Sequence, residues 1–221
     1  MKKKIGILTI GQSPRPDIIE ELIPYFGENI EIIEAGALDH KTEAEISALQ
    51  PKAGQRLLVT RLADGRVVHV AEELLTSCMQ DQINSLEEKD VSAILILCTA
   101  RFKSLHANVP CVEPGKLLNE LIPLFSPRSS IGVLSPDEAQ IESTKKDWAG
   151  IVEHIEVLTA SPYGNMTQLE LAAKAFKTLD IDLIVLDCMG YTEEMRRSVS
   201  EVSGKPVILS KVLAAKIVSA L

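Results

Sequence analysis

The chain has 221 residues, 46% hydrophobic and 24% charged, enough apolar content for one large core or two small ones. Its 23 Lys and Arg against 31 Asp and Glu leave a net charge of -8, which argues against nucleic acid as a partner, because phosphate contacts need clustered cations. Membrane association is not expected either, since no stretch approaches the roughly 20 apolar residues of a span.

Lys2-Lys3-Lys4 is the dense basic run, and it leads straight into a short strand rather than a signal-peptide h-region. The four cysteines, 78, 98, 111 and 188, include no CxxC pair, which argues against a disulfide framework. The expectation is a cytoplasmic chain with reduced thiols. The histidines, 40, 69, 106 and 154, show no metal-ligand spacing, so no metal site is expected.

Short apolar runs alternate with amphipathic segments, the pattern of βαβ units on a parallel sheet. A first strand over 4–10 is followed by Gly11-Gln12-Ser13-Pro14-Arg15-Pro16-Asp17, whose Pro16 and Asp17 suit the opening turn of a helix that stops near Gly27. A second strand covers 30–35. Thr42-Glu43-Ala44-Glu45 fits a capping box and predicts a short helix over 43–49. The alternation then breaks: two β-rich runs, 57–62 and 66–70, flank Ala63-Asp64-Gly65, a hairpin signal. A long helix over 71–88 returns the chain to the apolar strand 93–97, which delivers Cys98-Thr99-Ala100. A short strand around 109–112 and a helix over 114–124 follow.

Ser126-Pro127-Arg128-Ser129-Ser130 reads as a linker. Beyond it Ile131-Gly132-Val133-Leu134-Ser135 repeats the pattern of Ile5-Gly6-Ile7-Leu8-Thr9. A helix over 138–149, a strand over 155–158, a helix over 166–179 and the strand 183–187 lead to Cys188-Met189-Gly190-Tyr191, with a helix after it. A last strand, 206–210, and a terminal helix, 212–221, close the chain. The Ile-Gly strand and the strand–Cys unit thus recur in the same order, which favours two lobes of common design, although the repetitiveness of α/β sheets competes with that inference.

Ligands of open parallel sheets bind at the carboxyl ends of strands, where both thiols are delivered. A free cysteine at a strand end is most often a small buried hydrophobe. The equivalent placement of Cys98 and Cys188 favours a chemical role instead. A helix N-terminus beside each thiol would favour the thiolate, and one thiolate could take a proton from carbon while the other, as thiol, returned one. Thr99 and the following amides suit a carboxylate, or Thr99 is simply a helix cap. Arg15, in the loop with Gly11, Gln12 and Ser13, suits bidentate carboxylate recognition. Ser135 holds the corresponding place in the second half, as a donor or as a cap. Gly190 admits close backbone approach, and Tyr191 offers a phenol, unless the pair is a turn beside a half-buried ring. Cys78 and Cys111 read as packing. Asp187 is odd in an apolar strand and either orients a neighbour or caps a turn. No nucleotide-binding or serine-hydrolase motif is present, and a Cys–His hydrolase has only His106 close to Cys98 in sequence.

The stretches Ile7-Leu8-Thr9-Ile10-Gly11 with Pro14-Arg15, Cys98-Thr99-Ala100, and Leu186-Asp187-Cys188-Met189-Gly190-Tyr191 with Pro206-Val207-Ile208-Leu209-Ser210 resemble the AroM family over essentially the whole chain. That family sits within the aspartate/glutamate/hydantoin racemase superfamily. The resemblance implies an α/β fold of two pseudo-symmetric lobes with mainly parallel sheets and a cleft between them, with the hairpin, about 56–70, inserted in the first. It implies a first lobe of 1–125 with 207–221, because the superfamily's last helix packs back on it, and a second lobe of 126–206. It also implies no cofactor, with Cys98 and Cys188 exchanging a substrate proton. Gly11, Gln12, Ser13, Thr99, Ala100, Ser135, Met189 and Gly190 fall in the substrate loops. The sequence departs from the amino-acid racemases, which carry Cys-Asn-Thr and Cys-Thr-Glu where this chain has Cys-Thr-Ala and Cys-Met-Gly. The second is closer to the hydantoin racemases.

The expected function is therefore a cofactor-independent racemase or isomerase acting by two-cysteine proton transfer on a small carboxylate or related carbonyl compound. The alternatives are a cysteine-dependent lyase or cis–trans isomerase on the same scaffold, and a non-catalytic metabolite-binding protein. The hairpin has two readings, a cover for the cleft or the interface of a homodimer.

Overall fold

A computed structural model describes residues 2–126 and 129–221. The expected linker includes Pro127 and Arg128, which lie outside the described residues. The chain divides into two units. The first runs to Pro114 and takes up Ala214–Leu221, and the second is Gly115–Leu213.

The first unit contains β1 (Lys3–Thr9), α1 (Pro16–Phe26), β2 (Ile30–Gly36), α2 (Glu43–Ala48), β3 (Leu57–Arg61), β4 (Val67–Ala71), α3 (Glu72–Glu87), β5 (Ala93–Leu97) and β6 (Cys111–Val112). Its main sheet is parallel, in the order β2-β1-β5-β6, and β3 pairs antiparallel with β4 as the inserted hairpin. The second unit contains α4 (Pro114–Phe125), β7 (Ser130–Ser135), α5 (Ile141–Trp148, entered through a 3-10 turn at Glu138–Gln140), β8 (His154–Thr159), α6 (Met166–Thr178), β9 (Leu183–Leu186), α7 (Glu193–Ser203), β10 (Val207–Leu209) and the start of α8 (Ser210–Ala220). Its sheet is parallel in the order β10-β9-β7-β8. With β7 set against β1, β8 against β2, β9 against β5 and β10 against β6, the two sheets have one strand order. The inferred repeat is therefore also a repeat of topology.

The local signals act as their chemistry requires. Thr42 and Glu45 close the capping box at α2. Gly65, at φ +89°, turns the hairpin, and Arg66 N–H donates to the Asp64 carboxylate there. Runs buried on both faces, such as Ala93–Leu97 and Leu183–Leu186, form the central strands. Among the described residues no helix is long and apolar enough to cross a membrane.

The division differs from the boundaries expected at 125/126 and 206/207. α4 goes with the second unit because Leu118 and Ile122 pack with Ile131, Val133 and Trp148. The first turn of α8 stays there too, as Val212 and Leu213 pack on that unit's core.

The repeated Ile-Gly has a packing cause. A Cβ on Gly6 would lie 3.1 Å from the Leu86 side chain of α3, and one on Gly132 would lie 2.6 Å from Ile181 and 2.7 Å from the Phe176 ring of α6. Each glycine leaves a central strand open so that a covering side chain can press on it. Gly132→Ala should therefore destabilise the protein by roughly 1–3 kcal/mol through overpacking, and Gly6→Ala by less, since Leu86 needs to yield only a few tenths of an ångström. Urea midpoints of the two variants measure the difference.

Candidate functional site

In the order β2-β1-β5 the crossovers leave β1 in opposite directions, so the loops after β1 and β5 diverge at a topological switch point, where a parallel sheet opens to a ligand. These two loops carry Gly11-Gln12-Ser13 and Cys98-Thr99-Ala100. The second sheet does the same with β7 and β9, whose ends carry Ser135 and Cys188-Met189-Gly190.

The two thiols share one local geometry. Ala100 N–H donates to Cys98 Sγ at 3.3 Å, and Gly190 N–H donates to Cys188 Sγ at 3.4 Å. Each chain turns so that the amide two residues on meets the sulfur, and an N–H donor favours the ionised form of the group that accepts it. Gly11 N–H meets Thr9 Oγ1 in the same spacing at 3.2 Å. The helix N-terminus expected beside each thiol is not found. Residues 98–110 form no helix, and α7 begins only at Glu193, behind a Thr192 cap. In both loops a backbone amide, from two residues further along, meets the sulfur where a helix end is expected. Cys98 is buried and Cys188 half-buried, while Cys78 and Cys111 pack half-buried against the first unit's core.

In the first unit the loop after β1 is fixed from two sides. Asp39, just beyond β2, accepts Ser13 N–H at 2.8 Å, Ser13 Oγ–H at 2.6 Å and Gly36 N–H at 2.7 Å. From the other side, Gln12 N–H donates to the Arg61 carbonyl of β3, the Gln12 amide oxygen accepts Ala63 N–H at 2.9 Å, and its amide NH2 donates to the Leu38 carbonyl. A Cβ on Gly11 would lie 2.2 Å from the Arg61 carbonyl oxygen and 2.5 Å from Thr60 Oγ1, so only glycine admits the hairpin here. The hairpin is thus stapled to the loop after β1. Behind that loop lies a cleft of about 520 Å³ lined by Ser13, Glu34, Asp39, His40 and Lys89. Another, of about 560 Å³, lies at the ends of β7 and β8 beside Asp137, Thr159, Ser161 and Gln168. Neither is lined by Cys98 or Cys188.

Arg15 is almost wholly buried, and its Nε and one terminal nitrogen each donate to an Asp17 carboxylate oxygen at 2.8 Å. The bidentate face expected to meet a ligand carboxylate thus holds an internal one. Burial pulls the Asp17 carboxyl upward, but hydrogen bonds from Arg15 and the charges of Arg15 and Arg61 outweigh it and hold the group below the usual carboxylate range. Thr99 and Ala100 are buried beside Cys98. His106 is exposed, with its backbone held by the Gln80 side chain.

In the second unit Ser135 is buried and its hydroxyl donates to the Asp137 carbonyl at 3.4 Å. Tyr191 is fully buried in the core, and its hydroxyl donates to the Ala160 carbonyl at 2.6 Å. Burial first, then the neighbouring Cys188, Asp187 and Tyr163, push the phenol well above its ordinary range, so it stays protonated. Tyr191 thereby anchors the Cys188 turn from below. Gly190 gives up its side-chain space to the protein itself, since a Cβ there would lie 2.8 Å from Tyr163 Oη and 2.9 Å from Pro162. Met189 is buried.

Sequence reasoning missed Asp39 and the β3 edge at Thr60 and Arg61. The available signal was weak: an acidic residue three positions past Gly36, at the carboxyl end of a strand.

The family model described as AroM protein matches residues 5–221. Among solved structures, allantoin racemase from Klebsiella pneumoniae is similar at TM-score 0.68 and 15% identity, over 100% of this chain and 87% of that one. Glutamate racemase from Francisella tularensis is similar at 0.61 and 16%, over 99% and 80%. Maleate isomerase from Pseudomonas putida is similar at 0.60 and 15%, over 100% and 93%. Identities this low establish a shared fold. A search of curated proteins matches none.

Removing Asp39 should release the first loop. In Asp39→Ala the Ser13 and Gly36 amides lose a charged acceptor, a loss of about 2 kcal/mol. Amide hydrogen exchange at these two positions should accelerate by more than tenfold, while exchange in the second unit's strands stays as in the parent chain.

Proposed function

The chain belongs to the AroM family, and on that premise we propose that it is a cofactor-independent racemase or isomerase of a small carboxylate or related carbonyl compound, with Cys98 and Cys188 as its proton-transfer pair. The observation that carries the reading is the repeated amide–sulfur bond at 3.3 and 3.4 Å, which treats both thiols alike in sequence-separate loops. One sulfur, as thiolate, takes the proton from the carbon next to the carbonyl. The other, as thiol, delivers a proton to the opposite face. The electron pair left on carbon is delocalised into the carbonyl between the two steps, and in the reverse direction the sulfurs exchange roles. No redox change occurs and nothing leaves the substrate.

The substrate anion is held by Thr99 with the amides of its loop, by Ser13 on its Asp39 support and by Ser135. Arg15, paired with Asp17, and Tyr191, buried in the core, keep these loops in shape. Gln12 ties the hairpin to the first loop, so the insertion shapes the substrate end of this unit. That the solved structures of similar fold include an allantoin racemase, a glutamate racemase and a maleate isomerase supports the choice of reaction class.

A second reading, a lyase or cis–trans isomerase needing one thiol, is favoured by the unequal surroundings: Cys188 is half-buried and follows an acidic residue, whereas Cys98 is buried and follows Leu97. Solvent deuterium entering the α-carbon separates them. With a panel of chiral carboxylates and ureides in D2O, Cys98→Ala and Cys188→Ala should each lose exchange by about 10²–10⁴-fold, the usual weight of general acid–base groups. Loss in one variant alone favours the one-thiol reaction, and exchange surviving in both contradicts any thiol mechanism.

A further inference from the structure

Among the described residues of the second unit, two charged side chains are almost wholly buried, Asp187 at 9% exposure and Lys211 at 0%. They stand at the ends of adjacent strands. β10 pairs with β9 with Leu209 opposite Leu186, the last residue of each strand, so Ser210 and Lys211, which open α8, leave the sheet next to where Asp187 and Cys188 leave it. Ser210 Oγ–H donates to the Leu186 carbonyl at 2.6 Å and so ties the start of α8 to the end of β9. Leu209 and Val212, on either side of Lys211, pack in the same cluster as Cys188 and Tyr191.

Lys211 occupies an unfavourable position twice over. A buried ammonium has lost its hydration, and the second residue of a helix lies at its positive end, where a further cation is repelled. Only an anion nearby offsets both costs. Acidic groups meet at this loop: Cys188, Asp187 and Tyr163 all act on the Tyr191 phenol, and Tyr163, from the loop after β8, stands against Gly190. Tyr191 stays protonated, so the negative charge that its loop brings is that of Asp187, one residue before the sulfur. A carboxylate in that place, left unbalanced, would oppose a second negative charge on Cys188.

We propose that Lys211 and Asp187 form a buried ion pair at the ends of β10 and β9, and that this pair is what lets Cys188 ionise. Lys211 is a positioning residue: it acts on the sulfur by cancelling the charge of Asp187 and touches no substrate. Its catalytic consequence rests on the proposed two-thiol reaction, but its effect on ionisation does not.

The test reads the thiol directly. Iodoacetamide alkylation of Cys188 in the full chain is followed by peptide mass spectrometry across pH, with Cys78 as internal standard. In Lys211→Met the midpoint of the Cys188 profile should move up by about one pH unit, roughly a tenfold loss of rate at a fixed pH below it. Lys211→Arg should restore the profile, and Asp187→Asn should move it down. If Lys211→Met does not fold, the double variant Asp187→Asn/Lys211→Met decides, because deleting both members of a buried pair removes the uncompensated charge. The double variant should fold and show a Cys188 profile within a few tenths of a unit of the parent. A Cys188 profile unmoved in a folded Lys211→Met, or a double variant no more stable than Lys211→Met, overturns the pair. Loss of isotope exchange from the parent chain would instead count against the reaction and leave this result standing.

Discussion

A backbone amide aimed at a sulfur from two residues further along is the interaction on which the proposed chemistry depends. It occurs at Cys98 and again at Cys188, each time just past a central strand, and the same spacing recurs at Thr9 with an oxygen acceptor. The geometry follows from the topology. At a switch point the loops that follow adjacent strands run to opposite faces of the sheet and leave a crevice at the strand ends, where turn N–H groups are open to a nearby side chain. A cysteine there receives a hydrogen bond that stabilises charge on sulfur without a metal ligand set or a helix end.

The loop after β1 in the first unit and the Cys188 turn in the second are held still by different means. In the first unit the anchor is polar: one carboxylate, Asp39, takes three donors from Ser13 and Gly36, and the hairpin is bonded to Gln12. In the second it is packing: the Tyr191 ring lies in the core with its hydroxyl on Ala160, and Pro162 and Tyr163 press on Gly190. The common architecture thus carries unlike supports. The hairpin has no counterpart among the described strands of the second unit and is bonded to the Gln12 loop of the first.

Much of this was legible in the residues. The Ile-Gly strands, the capping box at Thr42, the Asp64-Gly65 turn and the two strand–Cys units are short-range signals whose causes are local, and the fold and its internal repeat follow from them. What the sequence hid was long-range. Nothing near Gln12 announces a bond to Ala63, 51 residues on, and Asp39 is separated from Ser13 by a helix and a strand. Arg15 looked like a ligand for carboxylates, but its partner stands two residues away in Asp17. Gly190 looked open to a ligand, but the protein's own loop fills that space. The domain boundaries shifted for the same reason, since the allegiance of α4 is decided by which core receives Leu118 and Ile122. A pattern within one helix does not contain that information.

The central claim is that both thiols serve one substrate. The most direct measurement is which of the four free cysteines a bound carboxylate shields from alkylation, read peptide by peptide over a ligand titration with a compound that supports isotope exchange. The account predicts that Cys98 and Cys188 slow together with one half-saturating concentration while Cys78 and Cys111 react as before. Protection of one of the pair while the other keeps its full rate would contradict it.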